Sequence, residues 1–75
     1  MIPLRMSKSD EKWIKSNLSM LPHDERLRIC KAYSDVFSKY YDTESVDHKK
    51  ENAGRYAANT RLRIYIEKKM RVFND

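Results

Sequence analysis

Residues 61–67 read Arg61-Leu62-Arg63-Ile64-Tyr65-Ile66-Glu67, and the fold turns on how they are read. Taken alone they alternate polar and apolar, apart from the amphipathic Tyr65. That is a strand pattern. A strand here needs a partner, and only residues 2–6 offer one. The flanks argue for helix instead. Ala53, Ala57, Ala58, Glu67, Lys68 and Lys69 are good or acceptable helix formers. Over the longer window Val46, Ala53, Ala57, Thr60 and Ile64 form one helical stripe, with Tyr56 beside it. Leu62, Ile66, Met70 and Phe73 form a second stripe on roughly the opposite side. Residues 45–73 are therefore expected to be one long helix; a strand at 58–73 would change the fold class to α+β. Gly54 costs about 1 kcal/mol against alanine in a helix interior. It marks a kink, a close contact or a break.

Working towards the N-terminus, residues 23–41 carry the clearest pattern. Leu27, Cys30, Tyr33, Phe37 and Tyr41 share one side, and Ile29, Val36 and Tyr40 widen it to nearly half the wheel. A face that wide packs against two neighbours, which puts this helix at the centre of the fold. Pro22 suits the start of a helix, and Asp24 and Glu25 complement its positive end. A first helix is expected at about residues 8–20. Ser7 or Ser9 would cap it, and Trp13, Ile14, Asn17, Met20 and Leu21 would form its apolar side with Leu18 at the edge.

The expected fold is all-α: a single small domain over residues 1–75, built as a three-helix bundle with a long C-terminal helix and a short extension at residues 1–7. A third helix with two apolar faces must cover two surfaces. Helices 1 and 2 take one, and a second copy or another protein takes the other, so a dimer is one expectation.

Composition limits the function. The chain has 75 residues, one Gly, two Pro and one Cys. A single cysteine, Cys30, makes no internal disulfide. No apolar run is long enough for a membrane helix, and the first residues lack a signal peptide's apolar core. The expectation is a cytoplasmic protein with Cys30 reduced. No glycine-rich phosphate loop is present, and His23, His48 and Cys30 lack metal-ligand spacing. His23 and Cys30, seven residues apart on one helix, stand about 10 Å apart, too far for a nucleophile and its base. No enzyme activity, cofactor or metal is expected.

The net charge is +5, and it is concentrated late in the chain. From residue 48 to 73 eight basic residues face two acids, which leaves +6 (8 − 2). Lys49, Lys50, Arg61, Arg63, Lys68, Lys69 and Arg71 are thus candidates for phosphate contacts. On a wheel, however, they spread over most directions. The second stripe, with Tyr65 added, is the other candidate: Leu62, Tyr65, Ile66, Met70 and Phe73 as a protein-docking surface.

Residues 4–10, Leu4-Arg5-Met6-Ser7-Lys8-Ser9-Asp10, precede a helix, a short turn at Leu21-Pro22 and a longer helix to Tyr41. That layout resembles a ribbon-helix-helix DNA-binding dimer. The resemblance covers about half the chain. It implies N-terminal strands paired across a dimer, with Arg5 reading bases. Pro3 departs from it by lacking a strand donor.

The leading functional expectation is a non-enzymatic adaptor or inhibitor that docks on a protein partner. Small basic domains of this kind are typical of accessory proteins of bacteriophage and other mobile elements. The alternative is a nucleic-acid-binding regulator.

Overall fold

The structure is a computed structural model that describes the backbone of residues 1–74 and the side chains of residues 1–71. The fold is all-α. A 3-10 turn at Lys8–Asp10 leads into α1 (Glu11–Leu18). Then come α2 (His23–Thr43), a second 3-10 turn at Asp47–Lys49, and α3 (Lys50–Asn74). Residues 61–67 lie within α3, and residues 2–6 form no strand. Helix wins because the helix formers on both sides of 61–67 continue the ladder without a break.

α2 and α3 form an antiparallel hairpin, and α1 closes one side of it. The core comprises Ile14, Leu18 and Leu21 from the first segment, Cys30, Tyr33 and Phe37 from α2, and Ala58, Leu62 and Ile66 from α3. Ile14 and Leu18 are fully buried. Leu18 is thus central in α1, not at its edge. α1 ends at Leu18, so Met20 falls in the turn and is exposed, and Trp13 is 39% exposed.

On α3 the Leu62/Ile66 stripe turns inward, and Ala57 of the other stripe is buried as well. The helix's core row is Gly54, Ala58, Leu62 and Ile66, one residue per turn. Gly54 allows the approach of the two helices: a Cβ there would lie 3.0 Å from the Phe37 carbonyl oxygen and 3.1 Å from its ring. Of the three readings of this glycine, close contact is the one seen. Ile64 and Val46, on the other stripe, are exposed.

Partly buried polar groups hold the ends together. Arg26 donates from Nε to the Leu18 carbonyl (3.0 Å), which also accepts the Leu21 backbone N–H, and from Nη2 to the Leu21 carbonyl (2.9 Å), so one side chain clamps the chain where α1 stops. Lys50 donates to the Glu44 carbonyl (2.6 Å) and lies over the Tyr41 ring, closing the turn between α2 and α3. The Ser7 hydroxyl meets that of Ser9 and caps nothing.

Cys30 is buried between the helices. Burial pushes its thiol above the ordinary value, only partly offset by the N-terminal charge and Arg26. A thiol kept protonated and covered is a poor nucleophile. In native protein at pH 8 Cys30 should therefore react with a thiol reagent such as DTNB at least tenfold more slowly than in urea-unfolded chain. Equal rates would place it on an accessible surface.

Candidate functional site

Two concave regions flank α3. The first lies on the α1 side and encloses about 460 Å³. Trp13 and the exposed Tyr56 stand at its walls, with Arg63 and Asn52 nearby. Asp10, Arg55 and Asn59 also line it, and they are engaged with one another. Arg55 grips the Asp10 carboxylate with both Nε (2.8 Å) and Nη2 (3.0 Å), and Asn59 donates to it at 3.0 Å. The Tyr33 hydroxyl donates to the Asn59 side-chain oxygen from beneath. This network ties the start of α1 to α3 across 45 residues of chain. Periodicity could not reveal it, because nothing local marks Asp10 as the partner of Arg55.

The hydrogen bonds from Arg55 hold the Asp10 carboxyl below its ordinary value of 3.8; burial opposes this, and Asn59 and the Arg55 charge add to it. Tyr33 is pushed up to about 12, mainly by burial and then by the charge of Asp10, with Arg55 opposing. A depressed native-state carboxylate stabilises the fold fully above its unfolded value and loses that contribution as pH falls through the native value. The stability gap between wild type and Asp10→Asn should therefore be constant above roughly pH 5 and close between roughly pH 4 and 2. Urea unfolding across that range measures it, and a gap that stays open in acid would contradict the pairing.

The second region is a groove between α2 and α3, with no α1 residue in its lining. Ile29, Ala32 and Val36 form one wall, and Ala58, Arg61 and Tyr65 the other. Tyr33 and Leu62 make the floor. Its volume is about 180 Å³, below the range of about 300–1,000 Å³ typical of small-molecule sites. It suits side-chain anchors better than a cofactor. Two bridges between α2 and α3 bound it. At one end Lys69 meets Glu25 at 2.9 Å. At the other the Arg61 guanidinium lies over the Tyr40 ring at 5.3 Å and donates to its hydroxyl at 3.3 Å. That hydrogen bond, with the charges of Arg61 and Lys39, lowers the Tyr40 phenol below its ordinary value.

The candidate docking residues of the sequence divide accordingly. Leu62 and Ile66 are spent on the chain's own core, because α2 and α1 cover the face that holds them; their reading as a surface is corrected. Tyr65 is half-buried and lines the groove. Met70 is half-buried against the core. The Phe73 side chain lies outside the described residues. The groove's α2 wall, Ile29, Ala32 and Val36, was not singled out for binding. In the sequence Ile29 and Val36 only widen the apolar stripe of α2, and that width is the available signal.

The basic residues do not converge. Lys50 closes a turn and Lys69 pairs with Glu25. Arg61 bridges to Tyr40 and to the Ala57 carbonyl. Arg63 stands 4.0 Å from Glu67. Lys49 is exposed in the 3-10 turn before α3, and Lys68 and Arg71 are exposed one turn apart at the far end of α3. Arg5, the base-reading candidate, lies 5.1 Å over the Tyr41 ring and 5.8 Å over that of Phe37, and its backbone N–H donates to the Ser34 hydroxyl. The segment that the ribbon-helix-helix layout would use as a strand is thus held against α2.

Among the described residues no three of His, Cys, Asp and Glu form a metal-binding group, and no helix is long and apolar enough to cross a membrane. Compared with protein-family models, with curated proteins and with solved structures, the chain matches none.

Proposed function

We propose that this protein is a non-enzymatic docking module, an adaptor or inhibitor, whose α2/α3 groove receives an apolar segment of another protein. One observation carries the reading. The hairpin has two apolar sides; α1 fills one, and the side bearing Ile29, Ala32, Val36 and Tyr65 is left half-covered. The basic residues support it, since several serve bonds within the chain instead of forming a phosphate-facing surface.

The test is affinity capture by the full chain from its own cell, with and without nuclease, comparing wild type with Ala32→Glu and Tyr56→Ala. Ala32 is exposed at the groove wall, so glutamate there spoils the apolar surface without a core defect. The same protein should be captured despite nuclease, lost with Ala32→Glu and retained with Tyr56→Ala. Capture that survives Ala32→Glu overturns the proposal. Capture abolished by nuclease points to nucleic acid instead, a reading that the Trp13 and Tyr56 aromatics beside Arg63 favour.

A further inference from the structure

We infer that the segment taken by the groove is an acidic amphipathic α-helix of about four turns, belonging to a different protein and lying along α2 and α3 as an added member of the bundle. This rests on the docking reading above and names the partner's chemistry.

The spacing of the walls is the first argument. Ile29, Ala32 and Val36 stand at i, i+3 and i+7 along α2, and Ala58, Arg61 and Tyr65 at i, i+3 and i+7 along α3. That is the seam spacing into which a third helix inserts knobs. An extended segment has period two and misses it. A helical hairpin also offers no free strand edge for such a segment to join.

The second argument is an occupant already seen. On the hairpin's other side sits the chain's own first segment, whose buried helical anchors are Ile14 and Leu18, at i and i+4, followed by Leu21 in the turn after α1. The hairpin therefore accepts a helix on one side, and its other side carries the wall spacing that a further helix would meet. Tyr40 follows Glu25 by 15 positions along α2 (40 − 25), a rise of about 22 Å of helix.

Charge supplies the third argument. Arg61 lines the groove and Lys39 stands beside it, 5.9 Å from the Tyr40 ring. Arg28 and Lys68, both exposed, lie one helical turn from Ala32 and Tyr65 and extend the same flanks. The nearby carboxylates are engaged: Glu25 with Lys69 and Asp35 with Lys31. An acidic helix complements this rim, and its approach is steered by it. A second copy would bring the same cations against it. The occupant is therefore a different chain.

The experiment uses the full chain, isotope-labelled for NMR, and three synthetic 15-residue peptides. One has leucine and isoleucine at heptad seam positions with glutamate on both flanks. The second replaces those glutamates with lysine. The third is the acidic peptide with a central proline. The acidic helix should shift the amides of Ala32, Val36 and Tyr65 and gain helicity on binding. It should bind at least tenfold more tightly than the other two and weaken with salt. Lys39→Glu/Lys68→Glu should reverse the preference between the first two. Equal binding by the lysine peptide overturns the charge argument, and equal binding by the proline peptide overturns the helix. A concentration-dependent dimer abolished by Ala32→Glu assigns the groove to a second copy and also overturns the inference. If no peptide moves those amides while cell capture still depends on Ala32, the inference fails and the docking reading stands. If capture ignores Ala32, the docking reading itself fails.

Discussion

Gly54→Val should destabilise this protein by about 3 kcal/mol, at the upper end of what overpacking a core costs. With a shift of about 4–8 °C per kcal/mol for a domain of this size, the midpoint of thermal unfolding should fall by more than about 10 °C. The cause is the approach of α3 to α2. The first carbon added at Gly54 meets the Phe37 carbonyl oxygen at 3.0 Å and the ring at 3.1 Å. The oxygen belongs to a central helix and the ring is itself buried, so neither swings aside. Valine adds two more carbons in that space. Alanine is the informative control. In an open helix it gains about 1 kcal/mol over glycine; here the contact should cancel that gain, leaving Gly54→Ala no more stable than wild type. A Gly54→Ala protein that melts several degrees higher would show that α3 can move away at no cost.

Leu18→Ala should lose about 3 kcal/mol, within the range of about 2–5 kcal/mol for emptying a buried leucine site. A domain of 75 residues commonly has only about 4–11 kcal/mol in total. Leu18 is 1% exposed and belongs to the core that α1 shares with α2 and α3. α1 has eight residues, too few to be helical alone in water. Its structure therefore depends on the side chains it buries, and Leu18 is one of only two buried residues that hold it. Urea unfolding followed through Trp13 measures the loss. Ala32→Glu, at the groove, should change the midpoint by no more than about 0.5 kcal/mol, as surface substitutions do. A Leu18→Ala loss below 1 kcal/mol would mean that α1 contributes little to the fold.

Much of the fold was legible in the sequence because a helix repeats its environment every 3.6 residues. Cys30, Tyr33 and Phe37 share one stripe in the sequence and are buried in the core. Leu27 shares their stripe and is 48% exposed. Periodicity says which side a residue faces; it does not say whether anything lies over that side. The N-terminal segment covers α2 at Ser34, Phe37 and Tyr41 and leaves Leu27 open. The same limit decided α3. Two apolar stripes were visible, but the choice of core stripe followed from Gly54 and Ala58, whose small size lets α2 come close. The groove was legible only as excess width on α2. The Asp10–Arg55–Asn59 network and the Arg26 closure were not, because each joins polar residues whose meeting depends on tertiary placement.

The bonds between elements also differ in the length of chain they close. Lys50 reaches the Glu44 carbonyl across 6 residues, Tyr33 reaches Asn59 across 26, and Asp10 reaches Arg55 across 45. Closing a longer loop costs more chain entropy. Folding should then zip from the turn at residues 44–49 along the α2/α3 hairpin, with α1 arriving last. Read in reverse, the easiest partial opening of the native state releases α1 first. Amide protons of residues 11–18 should exchange with solvent faster than those in the middle of α2, and in those moments the molecule is a bare hairpin with both of its grooves empty.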